Sequence, residues 1–368
     1  MNHNMKVTSK FFQFAPILLL VLVSACAPAA TPTAEPATEV APVAESTVLN
    51  IYNWEDYMDD TILAAFEEEY GITINYTTYT SNEELIDVLM AGPVDYDLVV
   101  PSDYAVEFLR GESMFGSLDK TNIPNFANIA PTFINPSYDP GNRYCIPYQW
   151  GTTGIGYNIK ATGKELTSWA DVFDPAYAGR VSFIEEPREA FAAILLLLGH
   201  SPNSTNQIEL DEATAFLKSN ADHIATYAPD TGQDLLDAGE VDIAHEYNGD
   251  IFQIMAENPD IRYMIPSEGA MIWSDNLCLL ASAPNKENAE KFMNYLLDAE
   301  VGAALSNYLR YASPNQAALP FLNEEDRNHP GLYPPEEVLA RMFFFANIGS
   351  ASQLYDDAWS EVLANHGQ

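Results

Sequence analysis

Between Leu49 and Tyr57 the chain reads Leu-Asn-Ile-Tyr-Asn-Trp-Glu-Asp-Tyr, so two aromatic rings bracket two carboxylates. The ring faces of Trp54 and Tyr57 carry negative quadrupole density, and Glu55 and Asp56 carry full negative charge. Together the four residues make half of a trap for an ammonium group. The preceding residues say where that half-trap stands. Leu49 and Ile51 share one face and Asn50 and Tyr52 the other, which is the alternation of a strand. The chemistry therefore falls at a strand's carboxyl end. The same four residues also suit a buried Trp and Tyr beside two solvated acids. The rest of the chain decides between the two.

The elements around this stretch read strand, helix, strand, helix, strand. Ile62, Leu63, Phe66 and Tyr70 fall at helical spacing within Asp60 to Tyr70, and Gly71 suits a left-handed C-cap. Ile72 to Tyr79 alternates. Ser81 followed by Glu84 has capping-box spacing and opens a helix to Met90. Tyr96 to Pro101 is a nearly continuous apolar strand, as in a buried parallel sheet. Two successive βαβ units predict an open α/β sheet, whose ligands sit beyond the strands' carboxyl ends. Ser102-Asp103-Tyr104 occupies such an end. Cys145 to Asn158 carries Gly151, Gly154 and Gly156 and is expected to be a crossing strand that bends. A second α/β pattern follows, with strands at Val181 to Glu185, Val241 to Tyr247, Ile261 to Pro266 and Met271 to Leu280. Helices are expected from Pro187 to Leu198, Asp250 to Ala256, Glu287 to Leu297, Glu300 to Tyr308 and Gln353 to Leu363. Two α/β lobes joined by crossovers imply a cleft.

The chain has 368 residues, 53 acidic against 16 basic, for a formal charge of −37. That balance excludes a phosphate-binding surface of clustered Lys and Arg, and it speeds the approach of cations. Most of these acids are solvated surface, since a small ligand uses only a few. Lys6 and Lys10, the apolar run Ala15 to Val23, and Val23-Ser24-Ala25-Cys26 form a targeting signal resembling a lipoprotein lipobox, with Cys26 lipidated. Residues 27–47, rich in Ala, Pro, Thr and Glu, read as a flexible tether. The folded part is thus expected outside the cytoplasmic membrane, lipid-anchored to it. Cys145 and Cys278 are compatible with a bridge or with two separately buried thiols.

Several stretches together resemble one family: Tyr52-Asn53-Trp54-Glu55-Asp56-Tyr57, Ser81-Asn82-Glu83, Asp97 to Ser102, Ile146-Pro147-Tyr148-Gln149-Trp150-Gly151, Ser168-Trp169-Ala170-Asp171 and Asn294 to Leu297. They are similar to the spermidine/putrescine receptors of bacterial ABC importers, in the same order from about Leu49 to the C-terminus. The resemblance implies a two-lobed periplasmic-binding-protein fold, type II-like, with the ligand cleft between lobes. The lobes are expected at 48–150 with 275–318, and at 151–274 with 319–368. It implies capture of a linear polyamine by Trp54, Asp56, Tyr57, Ser102, Tyr104, Glu186, Glu189, Tyr247, Asp250, Trp273, Asp275 and Tyr311. No cofactor, metal, catalytic residue or nucleic acid is implied; the partners are the importer's permease subunits, and the receptor is expected to be a monomer.

A polyamine is a row of methylenes punctuated by cations, so flat apolar walls and spaced anions suit it. Each piece also has a plainer role: Glu186, Glu189 and Asp250 at helix N-termini offset the dipole, and Trp273 and Tyr311 suit a core. Tyr247 stands where such receptors usually carry Trp. Phe345 stands near a position that is Gln in spermidine binders, which predicts a diamine binding at least as well as spermidine. The alternatives are a ferric-type metal receptor of the same fold, though no Tyr-Tyr pair occurs, and a glycoside-acting enzyme using paired carboxylates. His245, on an apolar strand, reads as core.

Overall fold

The segment that opens the trap is strand β1, Val48–Trp54, in a computed structural model that describes residues 46–366. The lipobox Cys26, its signal and all of the tether but its last two residues lie outside the described residues. β1 pairs in parallel with β2, Thr73–Tyr79, and with β3, Leu98–Val99. The connecting helices begin and end as their sequences dictate. Asp59 caps Asp60–Tyr70 by accepting the N–H of Thr61, and Gly71 closes it at φ 66°. Ser81 caps Asn82–Met90 by accepting the N–H of Glu84. Of the expected strand Tyr96 to Pro101 only two residues pair, because the chain turns into the unforeseen helix Asp103–Gly111.

The remaining strands are β4 (Cys145–Asn158), β5 (Val181–Ile184), β6 (Ile224–Ala228), β7 (Ile243–Tyr247), β8 (Ile261–Met264), β9 (Ala270–Leu279) and β10 (Met342–Phe343). One sheet runs β2-β1-β3-β9-β4-β7-β5-β6, with β10 beside β9 and β8 beside β4. β4 is the crossing strand. From Cys145 to Thr153 it pairs with β9, and from Thr153 to Asn158 with β7 and β8. β6 and the helix Gln207–Ser219 before it are absent from the expected elements. The described residues 46–366 belong to one compact unit, and the two largest of its hydrophobic cores mark the two-lobed α/β architecture. One core holds Leu49, Phe66, Leu98, Phe292 and Leu305; the other holds Phe183, Phe191, Ile194, Tyr355 and Trp359. Each fully buried ring or branched chain contributes roughly 1.5–3 kcal/mol. No helix among the described residues is long and apolar enough to cross a membrane.

The glycines of β4 serve close approach rather than bending. A Cβ at Gly151 would sit 2.5 Å from the Trp273 ring, and one at Gly154 2.5 Å from the Tyr263 hydroxyl. The irregularity in the β4–β9 register lies earlier, between Pro147 and Gln149. Cys145 and Cys278 are directly opposed across these strands and joined as a disulfide, which settles the alternatives left open by their spacing.

Candidate cation-binding site

Asp275 is the centre of the site. It lies on β9 in the crossing region, 5% exposed. Its carboxylate accepts the hydroxyl of Ser102 at 2.6 Å and that of Tyr57 at 2.9 Å. Ser102 is held in turn by Asn82, which donates to its hydroxyl at 3.0 Å and accepts its N–H at 3.1 Å. Burial pushes Asp275 up to about 6 against the pull of these two hydroxyls. Around it runs a wall of edge-to-face rings: Tyr148 on Tyr57 (5.3 Å), Tyr57 on Tyr311 (5.6 Å), Tyr311 on Trp273 (5.2 Å) and Trp273 on Tyr247 (5.9 Å). Residues from both halves of the chain contribute to this one wall. Burial and the neighbouring carboxylates hold Tyr57, Tyr247 and Tyr311 above their ordinary phenol values, so each keeps its proton.

Two further groups of acids flank the centre. On one side Asp250 accepts the Tyr311 hydroxyl at 2.5 Å, and Asp230 and Glu246 bring carboxylate oxygens within 4.8 Å of it and of each other. Glu246 is wholly buried and accepts the N–H groups of Gly232 and Tyr247. Burial first, then repulsion led by Asp230, raises Glu246 and Asp250 well above the carboxylate range. Asp230 is exposed to solvent, yet the protein crowding its carboxyl, with Asp56 repelling it, pushes it up to about 6. Three carboxylates this close are donors for a hard divalent cation. On the other side stand Glu186, which accepts the N–H of Arg188 as a helix cap, and Glu189, which accepts the Thr153 hydroxyl. Burial raises both to about 8, with Glu83 adding repulsion at Glu186 and Glu186 adding it at Glu189. Arg188 lowers both only in part. Its guanidinium donates to Asn203 and the Ala346 carbonyl and lies over the Phe345 and Tyr355 rings.

The expected residues are therefore not all equivalent. Tyr57, Ser102, Trp273, Asp275, Tyr311, Tyr247 and Asp250 are joined by direct contacts. Glu186 and Glu189 form the second acidic flank, where Tyr104 donates to Glu83 and meets the Phe345 ring. Trp54 spends its indole N–H on the Val100 carbonyl and packs on Tyr79. Asp56 is exposed, at φ 52°, and its charge repels Asp230.

Several comparisons bear on this geometry. Residues 61–330 match the family described as bacterial extracellular solute-binding protein. This chain belongs to that family. It is 36% identical over 322 residues to the spermidine/putrescine-binding periplasmic protein of Escherichia coli K12, covering 87% of this chain and 92% of that one. It is 37% identical over 320 residues to the putrescine-binding periplasmic protein PotF of the same organism, covering 82% and 86%. Among solved structures it superposes on the spermidine/putrescine ABC transporter substrate-binding protein PotD of Streptococcus pneumoniae. That match has a TM-score of 0.79 and 30% identity, over 87% of this chain and 100% of that one. These relatives are solute-binding proteins of transport systems, and their periplasmic and extracellular descriptions place the family outside the cytoplasm.

In this solute-binding protein the residues that sequence reading missed are Asn82 as the orienter of Ser102, Tyr148 in the ring wall, and the acids Glu83, Asp103, Asp230 and Glu246. Glu246 carried a usable signal. A carboxylate in the apolar run Ile243-Ala244-His245-Glu246 is costly to bury without a purpose. His245, by contrast, is core as expected. It is 1% exposed between the Trp169 and Phe183 rings, and burial lowers it to about 3.

Proposed function

We propose that this protein captures linear polyamines of the putrescine/spermidine class outside the cytoplasmic membrane and delivers them to an ABC importer. The observation that carries the reading is Asp275, a buried carboxylate already holding two hydroxyl donors inside an unbroken aromatic wall. A protonated amine supplies the missing charge, and its methylenes lie along the rings. The named preferences of the relatives support the same ligand class. In this reading 48–150 with 275–318 and 151–274 with 319–368 are the closing lobes. Cys26 carries lipid, the protein acts as a monomer beside its permease, and it turns nothing over.

Protein lacking residues 1–47 is expected to bind putrescine, cadaverine, spermidine or spermine by calorimetry and to melt higher in their presence. No heat and no melting shift with any of the four at millimolar concentration rejects the reading. A divalent-metal reading draws on Asp230, Glu246 and Asp250. Stoichiometric metal that survives dialysis, together with absent polyamine binding, would favour it.

A further inference from the structure

The last strand, β10, is two residues long and pairs Met342 with Ala270 and Phe343 with Met271. Beyond it residues 344–346 run without sheet or helix, yet each of them is tied down. Asn203 donates to the Phe344 carbonyl at 2.9 Å and accepts the Ala346 N–H at 2.9 Å. Arg188 donates to Asn203 at 2.8 Å and to the Ala346 carbonyl at 3.4 Å, and its guanidinium lies 4.8 Å from the centre of the Phe345 ring. Fixing a free segment costs backbone entropy, so contacts this dense mark a geometry that the fold maintains.

What the strap presents is Phe345. Its ring meets Tyr104 edge to face, 6.2 Å between centres and 77° between planes. Tyr104 stands on the helix Asp103–Gly111, in the first lobe of the polyamine reading, while Phe345, Arg188 and Asn203 stand in the second. Charge at the same seam works the other way. Glu83, which accepts the Tyr104 hydroxyl at 3.1 Å, repels Glu186, which caps the helix carrying Arg188. The ring pair draws the lobes together where the carboxylates push them apart, and an ammonium beside Glu186 tips the balance toward contact.

Resting on the polyamine reading and its two closing lobes, we infer that residues 342–346 are a latch. Phe345 seats on Tyr104 when the lobes close over an amine, and Arg188 and Asn203 are the positioning residues that hold it there. A contact made only in the closed form slows opening, and hence release, while entry into the open form is untouched. The ring is spent on closure, so its effect is the same for ligands of different length.

The test is stopped-flow release and association of putrescine and spermidine with wild type, Phe345→Ala, Asn203→Ala, the double variant and Phe345→Tyr, with melting curves as a folding control. Phe345 is half-buried, so both of its single variants are expected to fold. Losing one edge-to-face pair should speed release of both amines by the same factor, about three- to tenfold, with association within about twofold of wild type. Asn203→Ala should match Phe345→Ala, the double variant should be no faster than either, and Phe345→Tyr should release at the wild-type rate. Unchanged release in Phe345→Ala, unequal factors for the two amines, or multiplied factors in the double variant overturn the latch. Absence of binding by wild type to either amine rejects the polyamine reading instead.

Discussion

Asp275→Asn should move affinity and stability in opposite directions. In the ligand-free protein the Asp275 carboxyl is raised from 3.8 to about 6 by burial. A group whose folded value lies above its unfolded one stabilises the fold fully below about 4, and that stabilisation is lost as pH rises through 6. The shift corresponds to about 3 kcal/mol of charged-state penalty at neutral pH, at 1.36 kcal/mol per unit. Asparagine removes that penalty, although its amide faces one of the two hydroxyls that now donate from Ser102 and Tyr57. The empty variant should therefore melt no lower than wild type at pH 8, and relatively lower at pH 4. Binding should suffer the reverse. Removing one partner of a buried charge pair costs about 2–5 kcal/mol, which weakens the polyamine roughly 30- to several-thousand-fold. Melting curves from pH 4 to 8 and calorimetry at pH 8 read both arms. A folded variant that binds spermidine and putrescine within threefold of wild type would falsify the assignment of Asp275 as an ammonium partner.

The remaining predictions concern protons, rings and the disulfide. Glu186 and Glu189, raised to about 8, hold protons at neutral pH, so binding an ammonium must expel them. Calorimetry at pH 7 in two buffers of different ionisation enthalpy should detect proton release, and affinity should climb between pH 6 and 9 while amines near pKa 10 stay charged. Trp273→Ala should cost about 0.5–2 kcal/mol of binding in cation–π contact, plus lost apolar cover, without unfolding; unchanged affinity would show that the ring is only core. Gly249→Ala puts a Cβ 2.3 Å from the Tyr311 ring and should weaken binding by displacing that ring, with a changed near-ultraviolet spectrum as the check. Replacing Cys145 and Cys278 together by Ser should lower stability by about 2–5 kcal/mol in denaturant melts, with ligand affinity following only if the crossing strands loosen.

The parts of the molecule legible in the sequence were those decided locally. Gly71 ends its helix because only a left-handed residue fits there, and Ser81 starts one because its hydroxyl reaches an N–H three residues on. Trp273 and Asp275 were recoverable because they sit two apart on a strand and so share a face. The pairing of Glu246 with Asp230 was not. Nothing near Glu246 in sequence reveals that Asp230 brings its carboxylate alongside. Their raised values come from burial by distant elements, which no spacing rule encodes. The bond from the Trp54 N–H to the Val100 carbonyl, which fixes that half-exposed ring, was equally beyond reach, because its acceptor lies 46 residues away.

The bulge in β4 and the disulfide beside it together fix a parity. Cys145, Ile146 and Pro147 face Cys278, Leu277 and Asn276, then Gln149 faces Asp275, so Tyr148 is one extra residue on one strand. Beyond that point the side-chain alternation of β4 is offset by one against β9. A slip of one position at so irregular a place would turn a strand over. Ser274 would then stand where Asp275 does, and the site would lose its charge without losing a single residue. The covalent cross-link, three residues from Asp275, forbids that count from changing. It works as an indexing pin: whatever the lobes do to admit a ligand, the strands can bend about this point but cannot miscount.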